Sequence, residues 1–125
     1  MFSNSAYAQS QSCTKVLNLY TGTTITGDDT GSFIVVPEGI EHYYLRMSAT
    51  ETSAGGATAT VLFNETASET NAATLHAFAL TVSAETRVLD TATSGSFDYL
   101  GPYVYVDVTS VTGTWEITVD LVYCR

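Results

Sequence analysis

Positive charge is nearly missing from this 125-residue chain, in which 4 lysines and arginines stand against 13 aspartates and glutamates for a formal charge of −9. Lys15, Arg46, Arg87 and Arg125 form no basic stripe with which to neutralise phosphates, so the sequence argues against nucleic acid and against anionic membrane surfaces as partners. Long apolar runs are also missing, and no stretch approaches the roughly 20 residues of a membrane helix. Lysine, glutamine and leucine are scarce, which weakens any helical reading. There are only 2 prolines, Pro37 and Pro102, and both fall at apparent strand edges, where a missing N–H is tolerated.

The opening "MFSNSAYAQSQSC" lacks both the basic leader and the apolar core of a secretion signal, despite an Ala-Tyr-Ala resembling a cleavage site. The expectation is therefore synthesis in a reducing compartment. Met1 to Ser12 read as a flexible polar N-terminal arm, too poor in apolar area to fold alone. Residues 13–125 read as a single domain, since a chain of this length buries roughly two-thirds of its unfolded surface on folding.

Strand formers fill the rest. About one residue in six is threonine, and β-branched and aromatic side chains suit a half-buried pleated surface. The C-terminal segment alternates most regularly: Trp115, Ile117, Val119, Leu121 and Tyr123 fall on one face, with Glu116, Thr118 and Asp120 on the other. The preceding run sets Val104, Val106 and Val108 against Tyr103, Tyr105 and Asp107. With "SVTG" between them, the two runs read as a β-hairpin.

Further strand-like runs cover Thr14–Tyr20, Gly31–Val36, Ile40–Ala49, Thr58–Phe63, Thr74–Ser83, Thr86–Leu89 and Phe97–Leu100. They are separated by turn-rich "TGTTITGDDTG", "PEG", "TSAGGAT", "NETASETNAA", "TATSGS" and "GP". Eight or nine short strands predict an all-β antiparallel sandwich, either jelly-roll or immunoglobulin-like. The predicted inward set adds Tyr43, Leu45 and Met47; Val61 and Phe63; and Phe78, Leu80 and Val82. Only "NETASETNAATLHA" has the composition for a short helical turn.

Chemistry is sparse. Cys13 and Cys124 flank the first and last strands. If those strands pair, a disulfide would close a loop of about 110 residues and stabilise by roughly 4–5 kcal/mol; the alternative is two unpaired thiols, as a reducing compartment implies. Two cysteines with no adjacent histidine do not suggest a metal site. His42 and His76 sit in strand runs with no nucleophile elbow or metalloprotease helix nearby, so neither is expected to be catalytic, and no cofactor is implied. Asp28 and Asp29 in "TGDDTG" lack calcium-loop spacing and read as a solvated turn. Asn64 opens an Asn-Glu-Thr sequon. Tyr103 and Tyr105 are the best outward-facing aromatic pair, more apt to decorate an interface than a glycan platform.

The segment "YLGPYVYVDVTSVTGTWEITVDLVY", within a short β-rich chain, resembles small virion structural proteins of tailed bacteriophages, of the capsid decoration or cement type. That resemblance implies a non-enzymatic sandwich, made in the host cytoplasm and placed on the capsid surface. It would bind the major capsid protein or other virion proteins and bridge shell subunits, as a homo-oligomer with a trimer favoured. The candidate contact residues are Ser3, Asn4, Tyr7, Gln9 and Gln11 of the arm, with Tyr103 and Tyr105. A carbohydrate- or receptor-binding module is the alternative from a different class.

Overall fold

The computed structural model describes residues 14–40, 42–53, 55–80, 86–90, 95–96 and 102–124. Strands β1 (Lys15–Ile25), β4 (His42–Ser53), β7 (Thr86–Asp90), β8 (Gly95–Ser96) and β10 (Thr114–Cys124) form one sheet. Strands β2 (Asp29–Thr30), β3 (Ile34–Val35), β5 (Ala57–Asn64), β6 (Ala73–Leu80) and β9 (Tyr103–Thr109) form the other. Every pairing is antiparallel.

The pairing is nested. β1 pairs with β10, β2 and β3 with β9, β4 with β7 and β8, and β5 with β6; the nested pairs then join through β10 to β4 and β9 to β5. A long antiparallel ribbon rolled over itself gives this order, which is the jelly-roll form of the β-sandwich. The immunoglobulin-like alternative does not fit it.

Alternation supplies the core. Leu45, Met47 and Ala49 of β4 and Trp115, Ile117, Val119 and Leu121 of β10 are all at most 1 % exposed. They face Ala59 and Val61 of β5 and Val104, Val106 and Val108 of β9, equally buried in the opposite sheet. Each fully buried Leu, Ile or Val of this kind contributes about 1.5–3 kcal/mol. Phe78 and Leu80 are buried as expected, whereas Tyr43 and Phe63 are only partly buried against the core. Val82 and the strand expected over 97–100 lie outside the described residues.

Several expectations fail. The segment from Tyr103 to Cys124 is not a hairpin: β9 and β10 belong to different sheets, and the "SVTG" corner carries the chain across the core. Strands facing each other across a sandwich bury the same alternate positions as neighbours in one sheet, so periodicity alone does not separate the two cases. The corner has Ser110 at φ 56° and Gly113 at φ 78°.

Nor is "TGTTI" a turn, since β1 continues to Ile25, which is 5 % exposed. A Cβ at Gly22 would lie 2.6 Å from Ile25 Cδ1 and 2.7 Å from the Tyr20 hydroxyl, so the glycine makes room for both side chains to pack beneath the strand. Register shifts between Asn18 and Tyr20 and between Gly22 and Ile25 absorb the irregularity. The run expected over Gly31–Val36 pairs only at Ile34–Val35, with Asp29–Thr30 a separate short pairing to β9. "NETASETNAA" forms bends and a turn before β6, without helix.

Candidate interaction surfaces and the polar bonds that shape them

Some polar side chains of the described residues join one element to another, while others brace their own strand or loop. On β1, the Asn18 amide donates to the Tyr20 carbonyl at 3.2 Å and to Asp120 Oδ1 at 2.9 Å, bridging the register shift and fixing β1 to β10. The Thr21 hydroxyl donates back to Asn18 Oδ1 at 3.3 Å. Across β10, register places Arg46 beside Asp120. Its guanidinium lies 5.5 Å from the Tyr44 ring centroid and donates to the Tyr44 hydroxyl at 3.3 Å.

The edges of the two sheets meet beside β1. Tyr20 donates its hydroxyl to Asp29 Oδ2 at 2.6 Å, linking β1 in one sheet to β2 in the other. Burial, and then the hydrogen bond and charge of Asp29, push the Tyr20 phenol well above the ordinary tyrosine range. Within the second sheet, Thr30 of β2 donates to Asp107 Oδ1 of its partner β9 at 3.0 Å. A shallow groove of about 390 Å³ follows the seam between Asn18–Thr21 and Asp29–Ile34. Asp28 and Asp29 are both exposed, and Asp29 also serves as a structural acceptor for Tyr20.

At one end of the sandwich the β4–β5 and β9–β10 connections clasp each other. Gly56 donates to Thr112 Oγ1 at 2.8 Å and accepts from the Thr112 amide at 2.8 Å. Trp115 Nε1 donates to the Thr112 carbonyl at 3.0 Å. Glu51 lies opposite Trp115 in the ladder and is 6 % exposed; its Oε2 accepts from the Gly55 amide at 2.7 Å, while Oε1 has no hydrogen-bond partner. The carboxylate was missed in the sequence, although Leu45, Met47 and Ala49 point to it: Glu51 is the next residue of that inward series.

A cleft of about 530 Å³ opens in the β5–β6 connection, its lining including Phe63, Asn64, Glu65, Thr66, Thr70 and Asn71. Asn64 organises it, donating from Nδ2 to the carbonyls of Ser68 at 2.7 Å and Thr70 at 2.9 Å and accepting from the Glu65 amide at 2.8 Å. The sequon asparagine thus has its amide nitrogen engaged within the fold.

The expected contact tyrosines separate. Tyr103 is half-buried, but Tyr105 is 3 % exposed, with Phe33 set edge-on against it at 5.1 Å. Tyr105 points to the outer face as alternation requires, yet that face is covered, and burial followed by Glu69 and Asp107 raises its phenol pKa. It therefore offers no exposed aromatic surface in the monomer. Ser3, Asn4, Tyr7, Gln9 and Gln11 lie outside the described residues, as does the whole arm. Cys124 is buried at the end of β10 and disulfide-bonded; its expected partner, Cys13, lies outside the described residues.

His76 sets its ring edge-on to Phe78 at 4.6 Å. His42 takes part in β4 through its backbone, opposite Cys124. Among the described residues, no three or more His, Cys, Asp or Glu side chains gather as a metal site, and no helix is long and apolar enough to cross a membrane. No known protein-family profile matches the chain, and no curated protein matches it significantly.

Proposed function

We propose that this chain is a non-enzymatic structural protein of a virion, of the decoration or cement type, which binds shell proteins and bridges neighbouring subunits as part of an oligomer. The observation that carries this reading is how its polar chemistry is used. Tyr20 and Asp29, Asn18 and Asp120, and Thr30 and Asp107 are bonded across elements of the fold itself. These bonds brace the fold, and the chain around them carries a formal charge of −9. A jelly roll is an architecture used for capsid and lectin domains, and the fold supports the reading only by that analogy.

Binding would be through surface complementarity summed over many copies, so modest affinity per copy suffices. The test mixes the purified full chain with virion shells lacking it and measures co-sedimentation. A saturable, fixed ratio of chain to shell subunit is expected. A chain that stays in the supernatant at every concentration overturns the proposal.

The cleft beside Phe63 and Asn64 favours a second reading, glycan binding. Its volume lies within the range of small-ligand sites, and it combines one aromatic with several hydrogen-bonding groups. Saturable glycan-array binding, lost on substituting Thr66 and Asn71, would support this reading over shell attachment.

A further inference from the structure

We infer that the outer edge of β1 is a self-association surface, pairing antiparallel with β1 of a second copy across a two-fold axis. The inference rests on the assembly reading above and names one contact within it. Among the described residues, β10 is the only strand beside β1, so one edge of this 11-residue strand presents unpaired backbone groups. An open edge of that length is a template for another strand. The neighbouring edge of the other sheet is cut into the two-residue strands β2 and β3 and followed by Pro37, which blunts it.

Charge selects the occupant. From Val16 to Gly27 no residue is charged, although the chain as a whole carries −9. Lys15 stands at one end of this neutral stretch and Asp28 just beyond the other. Both are exposed, and no hydrogen bond or ion pair engages either within the described residues. Antiparallel pairing of two copies brings each Lys15 toward the other copy's Asp28, twice by symmetry; parallel pairing sets like against like. A register placing Lys15 opposite Asp28 centres the axis between Thr21 and Gly22. Val16, an outward valine left 61 % exposed in the monomer, lies at the start of this neutral stretch.

The test is the mass of the full chain by sedimentation equilibrium, with Lys15→Glu, Asp28→Lys and the double variant. The expected result is a dimer whose association constant falls about tenfold in each single variant and returns in the double variant, since two weak ion pairs act together. Thermal unfolding by circular dichroism should show all three variants folded. A monomeric or trimeric wild type overturns the inference, as does a double variant that fails to restore the dimer. Shell co-sedimentation separates this contact from the broader function: a monomer that binds shells overturns only the edge pairing, whereas a dimer that does not bind them upholds the pairing and overturns the decoration role.

Discussion

Trp115 donates its indole hydrogen to the carbonyl of Thr112 at 3.0 Å, so the largest side chain of the core is tied to the corner through which the chain passes between sheets. The ring is fully buried and its one polar atom is satisfied, as a buried tryptophan requires. Trp115→Phe should leave a void and an unbonded Thr112 carbonyl, with a loss of about 1–3 kcal/mol. Urea denaturation followed by far-ultraviolet circular dichroism checks this. A midpoint equal to that of the parent protein would show that the bond contributes nothing.

The clasp depends equally on Gly55. A Cβ there would overlap the Thr112 carbonyl and its carbon, both backbone atoms that move only with the whole corner. Gly55→Ala is therefore expected to destabilise by at least about 2 kcal/mol. Gly27→Ala meets nothing within 4 Å and should be neutral or stabilising by about 0.5 kcal/mol. Paired thermal melts of the two variants test the contrast. Equal melting temperatures would remove the close approach at Gly55 as a constraint.

Much of this architecture is legible in residue order. The limits of β9 and β10 follow from alternation because each carries an unbroken inward apolar series, and the burial of Trp115, Ile117, Val119 and Leu121 is the consequence. The partner of each strand is not legible, since Val104, Val106 and Val108 would be buried alike beside β10 or across from it. The run "TGTTI" has turn composition, and it becomes strand because β10 is long enough to pair with it and Gly22 lets Ile25 fold inward. Tyr105 is correctly placed on the outer face, but its cover by Phe33 comes from a residue far away in the sequence. Local periodicity carries no such information. Glu51 could have been found by extending the inward series of β4 two residues further.

Asn64 holds the β5–β6 connection by three hydrogen bonds to its backbone. Asn64→Asp keeps the acceptor for the Glu65 amide and loses both donors. It also turns a carboxylate toward the carbonyls of Ser68 and Thr70. The expected cost is about 2–3 kcal/mol. Amide hydrogen exchange should quicken locally over residues 65–72 while the strands keep their protection. Unchanged exchange in that segment would show that the loop is held by something other than Asn64.

Alkaline pH tests the bond between Tyr20 and Asp29. The unfolded chain releases a tyrosine proton near pH 10, its ordinary value. In the fold, burial and then the hydrogen bond and charge of Asp29 hold the Tyr20 proton to higher pH. The folded state therefore keeps a proton that the unfolded state loses. This contribution is fully present below about pH 10 and disappears as pH rises from there through the folded-state value. Tyr43 and Tyr105, both raised chiefly by burial, add slopes of the same sign. Tyr20→Phe should cost about 1–3 kcal/mol at neutral pH, by removing the donor from Asp29, and should flatten the fall in stability above pH 10 without abolishing it. Denaturant unfolding at pH 7, 9, 10 and 11 measures both effects. A variant as steep as the parent protein above pH 10 would mean that the seam hydroxyl is not the group being titrated.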